Sequence, residues 1–165
     1  MSTSTSPDGF TRDELERAFA SYCEINEKAS ASGDWAAWAD KFTEDVHYVE
    51  HAYGEFRGRE TVRKWIADVM APFPHMDFPM DWVIYDEQRG WVVFQCQNRL
   101  RHPSDPDGEA FQFPTWSLIK YAGNGKWSYE EDTYNPAEAA EVIQAWIKAG
   151  GRFEVKEKVT MKHGG

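Results

Sequence analysis

The chain has 165 residues, the length of one domain able to close a single core without a disulfide or metal staple. Its 28 Asp and Glu outnumber its 18 Lys and Arg, a formal charge of −10 that excludes a surface built to grip phosphate backbones or anionic lipid. Cys23 and Cys96 lack motif spacing and read as free thiols, and no apolar run reaches membrane-span length, so a soluble cytoplasmic protein with no nucleic-acid or membrane partner is expected.

Residues 1–9 are too polar to pack and read as a lead-in to one domain over 10–150. Thr11 with Glu14 forms a capping-box pattern, and Leu15, Ala18, Phe19, Tyr22, Ile25 and Ala29 follow at helical spacing. After a break at Ser30–Asp34, the residues Trp35, Trp38, Ala39 and Phe42 predict a short second helix. From Asp45 the period becomes two, with Val46, Tyr48 and Glu50 on one face of a strand and His47, Val49 and His51 on the other. A turn through Gly54 and Gly58 leads to a third helix marked by Val62, Trp65, Ile66, Val69 and Met70 and stopped at Pro72.

An antiparallel meander follows: 80–86, 91–101, 111–121 and 127–134, joined by turn sequences at Gly90, Asp107-Gly108 and Gly123-Asn-Gly125. Asn135 and Pro136 open a last helix with Val142, Ile143, Trp146 and Ile147 as its stripe. The charged tail, 151–165, is assigned as an edge strand or a loose end. Helices first and a meander after make an α+β layer arrangement.

His47-Tyr-Val-Glu-His51 spells a zinc-peptidase string, but that chemistry needs both histidines on one helical face. On a strand they stand about 13 Å apart at about 3.3 Å per residue, too far to share one ion. No metal and no cofactor are expected.

Phe42-Thr-Glu-Asp45-Val entering a strand and Gly58-Arg-Glu60-Thr-Val62 opening a helix, in this order of elements, resemble the nuclear transport factor 2-like superfamily. More narrowly the chain, over about residues 11–135, is similar to its SnoaL-like branch, which includes polyketide cyclases and is related to ketosteroid isomerases. The resemblance implies a cone-shaped, curved, mostly antiparallel sheet wrapped over the N-terminal helices, with the last helix an addition. An apolar pocket with acid/base groups at its floor, and pairing of two copies through the sheet, come with it. In the isomerases the base lies five residues after the Asp that opens the first strand, which maps to Glu50; a tyrosine donor on the first helix maps, one turn displaced, to Tyr22. The second acid of that family aligns with Ser117, which cannot supply it, and the residue after the base is His51 rather than proline.

These readings define the expected site. Glu50, if its face is the inner one, is desolvated into the range of a general base; a one-residue slip brings in His51 instead. Tyr22 or Tyr48 stabilises a developing oxyanion, and Asp132 or Tyr134, which share a strand face with Glu130, completes an acid/base pair. Trp65 and Phe113 are candidate walls and Ser117 a candidate substrate contact. The expected activity is a cofactor-independent cyclase, isomerase or dehydratase acting on a hydrophobic ring-containing or polyketide-like molecule. The competing reading is a non-catalytic module holding a hydrophobic ligand or partner. The 8 Trp, 7 Tyr and 10 Phe exceed what one core calls for, and on the strands they occupy both faces. One face therefore lines a pocket, and a second copy or the last helix covers the other.

Overall fold

A computed structural model describes residues 9–155 and 159–162; of the lead-in, all but Gly9 lies outside them. Helix α1 (Arg12–Ser32) starts where the capping pattern places it, with Thr11 Oγ1 accepting the Glu14 amide at 3.1 Å. It ends at Gly33, whose φ of 75° lets its N–H close onto the Ala29 carbonyl. The segment after it is a 3₁₀ turn, Ala37–Lys41, rather than a helix carrying Phe42. That turn is too short to reach Phe42, which instead opens β1 (Phe42–Glu50) and is buried there all the same.

The turn between Gly54 and Gly58 contains a strand that the pattern does not announce, β2 (Gly54–Arg57), antiparallel to β1. Four residues bounded by glycines offer no alternation to read. Helix α2 (Arg59–Met70) buries the five residues of its predicted stripe. The meander is β3 (Met80–Asp86), β4 (Trp91–Leu100), β5 (Phe111–Gly123) and β6 (Lys126–Thr133). Helix α3 (Pro136–Lys148) follows, capped by the Asn135 side chain.

The six strands run in the order β2-β1-β6-β5-β4-β3, all neighbours antiparallel except β1 and β6. The result is the curved, unclosed sheet of the expected α+β fold. Between Trp127 and Tyr129, β6 carries one residue more than β5, a bulge that turns both Trp127 and Glu130 inward. Trp127 and Tyr129, which strict alternation puts on one face, therefore lie on opposite faces; Tyr129 meets the His47 ring outside.

Two expectations about the C-terminal region change. Helix α3 does not cover the outer face: Ala139 and Ile143 line the pocket, and Trp146 Nε1 donates to the Arg101 carbonyl at 3.1 Å. Among the described residues the outer face is left bare, with Ile84 62% and Trp116 56% exposed. The described tail residues carry no strand, because their amides bond to loops instead. Glu154 N–H donates to the Pro72 carbonyl at 2.8 Å, Lys162 N–H to that of Ala52 at 2.7 Å, and Met161 reaches the pocket. No described helix is long and apolar enough to cross a membrane.

Candidate active site

A cavity of about 140 Å³ lies between the helices and the concave face of the sheet, walled by rings that include Trp35, Trp38, Trp65, Phe94 and Phe113. Its polar floor follows from strand register. Glu50 on β1 is paired with Asp132 on β6, and Asp132 with Ser117 on β5. One row back, Tyr48 is paired with Glu130. Neighbouring strands are about 4.8 Å apart, so three strands present three oxygen-bearing side chains in one line.

The acids of that floor are tied together. Tyr22 on α1 donates its hydroxyl hydrogen to Glu130 Oε1 at 2.8 Å, and Ser117 Oγ donates to Asp132 Oδ1 at 2.6 Å. Tyr48 Oη lies 3.2 Å from Glu130 Oε1 and in a short contact with Asp132 Oδ2. One phenol has one hydrogen, so Tyr48 cannot donate fully to two carboxylates at once. The arrangement balances if Tyr48 donates to an ionised Asp132 and Glu130 carries a proton. Burial first, then the charge of Asp132, raises the Glu130 pKa; burial also raises that of Asp132, against the Ser117 and Tyr48 hydrogen bonds.

Behind this floor lies Lys41, 2% exposed. Its Nζ donates to Asn26 Oδ1 at 2.8 Å and sits 3.7 Å from the centre of the Tyr22 ring and 3.9 Å from that of Trp38. Among the described residues no carboxylate comes within ion-pair distance of it. Burial pulls its pKa down to about 7, and Glu130 and Asp132 oppose that shift. Lys41 with an ionised Asp132 and a protonated Glu130 makes a cluster of zero net charge, the least costly state for a buried site.

At the other end of the row, Glu50 is 3% exposed. Its Oε2 accepts the Tyr53 amide hydrogen at 2.6 Å, while Oε1 has no partner. Burial, then the charge of Asp132, pushes its pKa up to about 7. Trp65 packs 5.1 Å from the Tyr48 ring and stacks at 4.6 Å on Phe56.

The structure thus brings Tyr22, Tyr48, Glu50, Asp132, Trp65, Phe113 and Ser117 to one pocket. It does not bring His51 there: the chain turns at the end of β1, and the His51 ring is exposed, 2.7 Å from Glu131. His47 likewise takes Glu55, at 2.9 Å, on the outer side. Sequence reasoning missed three members. Glu130 carried a readable signal, its shared face with Asp132, but the acidic run around it looks like a solvated strand end. Lys41 and Asn26 carried none, since a Lys beside Asp40 and an Asn on a polar helix flank are ordinary surface residues.

Helices under a curved six-stranded sheet, with an acidic floor in an apolar cone, define the nuclear transport factor 2-like class. Within it the chain belongs to the SnoaL-like domain family, whose model matches residues 24–130. Among solved structures it is similar to an LEH-like epoxide hydrolase of M. tuberculosis (TM-score 0.62, 12% identity, covering 83% of this chain and 94% of that one). It is similar also to an NTF2-like protein from Anabaena variabilis (TM-score 0.60, 16% identity, 74% and 90%). A third is a protein described as a SnoaL-like polyketide cyclase from Jannaschia (TM-score 0.58, 17% identity, 85% and 96%). Such identities establish the fold alone. No curated protein matches the chain.

Proposed function

We propose that this chain is a cofactor-independent acid/base enzyme of the isomerase, cyclase or dehydratase kind, acting on a hydrophobic ring-containing or polyketide-like small molecule. The observation that carries this reading is Glu50: a buried carboxylate with one free oxygen, in line with a tethered acid pair, in an apolar cavity. Glu50 takes a proton from a substrate carbon beside a carbonyl, and the C–H electrons move into the C=O to give an enolate. The hydrogens of Tyr22, Tyr48 and Ser117 are already given to Glu130 and Asp132. Of the pocket donors left, which include Trp65 Nε1 and Asn26 Nδ2, the proton of Glu130, whose Oε2 has no other partner, is the one that belongs to an acid, and it is the donor to the enolate oxygen. The enolate then takes the proton back at another carbon, attacks a second carbonyl, or expels a β-hydroxyl.

The alternative, a non-catalytic module, fits a filled cone better than an open one with a free carboxylate. Deuterium exchange into cyclohex-3-enone, followed by NMR, tests the choice. The protein should accelerate exchange, and Glu50→Gln should lower it by about 10²–10⁴ without changing the melting temperature by more than a few degrees. Equal exchange by the variant removes Glu50 from the mechanism. We propose further that a second copy covers the outer sheet face, where Trp82 packs edge-on to the exposed Trp116 beside Ile84.

A further inference from the structure

The Asn26 side chain is oriented by its partners. Trp38 Nε1 donates to its Oδ1 at 2.6 Å and Lys41 Nζ donates to the same atom at 2.8 Å. An indole N–H is a donor only, so the atom it shares with Lys41 is the amide oxygen and not the nitrogen. Lys41 is in turn held between the faces of Tyr22 and Trp38, so the carbonyl side of Asn26 is anchored to a buried amine that the two rings fix in place. Asn26 lies one turn after Tyr22 on the same face of α1, and both line the cavity. The amide group left over, Nδ2 with two hydrogens, has no partner among the described hydrogen bonds.

Near Glu50 the polarity is reversed. There the unpartnered atom is an acceptor, Glu50 Oε1. The volume, about 140 Å³, matches about one six-membered ring: an apolar protein cavity of about 150 Å³ holds benzene. A molecule filling it meets a proton acceptor at Glu50 and a donor pair on α1.

Resting on the acid/base reading of this pocket, we infer that the substrate is a single-ring compound carrying a hydrogen-bond-accepting oxygen that Asn26 Nδ2 binds, with Lys41 as the positioning residue that keeps the amide nitrogen toward the ligand. Lys41 does not line the cavity and acts only through Asn26 and the floor. The acceptor read here is the specificity handle, separate from the carbon that loses its proton.

Two probes of nearly equal shape test this: acetophenone, which has the acceptor oxygen, and ethylbenzene, which lacks it, titrated calorimetrically against the full chain. Asn26→Asp keeps an oxygen for Lys41 and Trp38 while replacing the amide nitrogen by an acceptor; Asn26→Leu removes both and guards against a compensating water at the aspartate. In both variants the Kd for acetophenone should rise about tenfold, the worth of one hydrogen bond, with ethylbenzene within twofold of wild type. Lys41→Met should produce a smaller rise for acetophenone alone. An acetophenone affinity unchanged in both Asn26 variants overturns the inference and leaves the pocket reading standing. A wild-type protein that binds neither probe also overturns the inference, and Glu50-dependent exchange into cyclohex-3-enone then decides the acid/base reading separately.

Discussion

Glu130 and Glu131 are consecutive residues of β6 with opposite fates. Glu130 is 2% exposed on the concave face, and burial raises its pKa; Glu131 faces out, takes hydrogen bonds from His51 and Tyr129, and has its pKa lowered. The same contrast separates Glu50, with a free buried oxygen, from Glu55, which has the His47 ring at its exposed oxygen. The residue type is the same on the two faces of the sheet; its surroundings are not. Outside, carboxylates are matched by cations and water, and such pairs are worth about 0–1 kcal/mol. Inside, they share protons and phenols in a low-dielectric space, where a mismatch costs several kcal/mol and the chemistry becomes available.

The largest expected difference between the faces is in turnover. Glu50→Gln should lose about 10²–10⁴ in exchange rate, whereas Glu131→Gln, one strand over and facing out, should stay within about twofold. The pH profile sharpens the same point. Rate should rise as Glu50 ionises near pH 7 and fall at higher pH as Glu130 loses the proton it donates, giving a bell that Glu131→Gln leaves in place.

Stability should separate the faces next, with the sign set by burial. Glu50 has a pKa raised from 4.5 to about 7, so the folded state binds a proton that the unfolded state has released in that interval. Its contribution is fully present below about pH 4.5 and is lost as pH rises to about 7, a loss on the order of 3 kcal/mol. Lys41, lowered from 10.5 to about 7, works the other way over pH 7–10.5, where the unfolded state holds the extra proton and stability rises with pH. Urea denaturation of Glu50→Gln between pH 4.5 and 7 should show a shallower downward slope than wild type, keeping the part that belongs to Glu130. A slope of equal steepness in the variant removes Glu50 from it and leaves Glu130 as its source. The outer Glu131, lowered, adds stability only above its unfolded value and contributes no fall in that window.

Which parts of this were legible in the sequence follows from the same division. Helix caps and stripes could be read because they are local: Thr11 with Glu14, and the α2 stripe from Val62 to Met70, depend on neighbours three and four residues away. Alternation placed Tyr48 and Glu50 on one face because β1 is regular there. Alternation failed on β6, where an extra residue at the bulge brings Trp127 and Glu130 to the same side. Nothing local marks a bulge. The parallel pairing of β1 with β6, which sets Asp132 beside Glu50, joins residues some eighty positions apart, and Lys41 is buried against Tyr22 and Asn26 of α1, more than a dozen positions before it. A carboxylate absent at Ser117 thus stands on the strand across: Asp132 is the register partner of Ser117 and accepts its hydrogen bond.

That substitution of place gives a smaller prediction. Ser117→Ala removes one of two donors that hold Asp132 ionised, leaving Tyr48. One hydrogen bond to a charged group is worth about 1.5–3 kcal/mol, so proton sharing should shift from Glu130 toward Asp132. The falling limb of the rate profile should move by about one pH unit, with maximal rate lowered about tenfold and the rising limb, which belongs to Glu50, unmoved. A rising limb displaced as far as the falling one makes Glu50 and the acid pair a single coupled unit.

The smallest effect on turnover, and the sharpest test of the outer face, is at Trp116. Its ring is 56% exposed yet fixed by an Nε1 hydrogen bond to Gln95 at 2.6 Å and by Trp82, an ordered and exposed apolar surface. If a second copy covers this face, Trp116→Lys buries a charge at the joint and should convert a dimer into a monomer in sedimentation velocity at micromolar concentration. Turnover should change by less than about twofold, because the concave face keeps its own register through β5 and β6. A wild-type protein that sediments as a monomer removes the partner from this face. A monomeric variant that also loses turnover makes the two faces one functional unit, since the cone would then need its partner to hold the acid row in line.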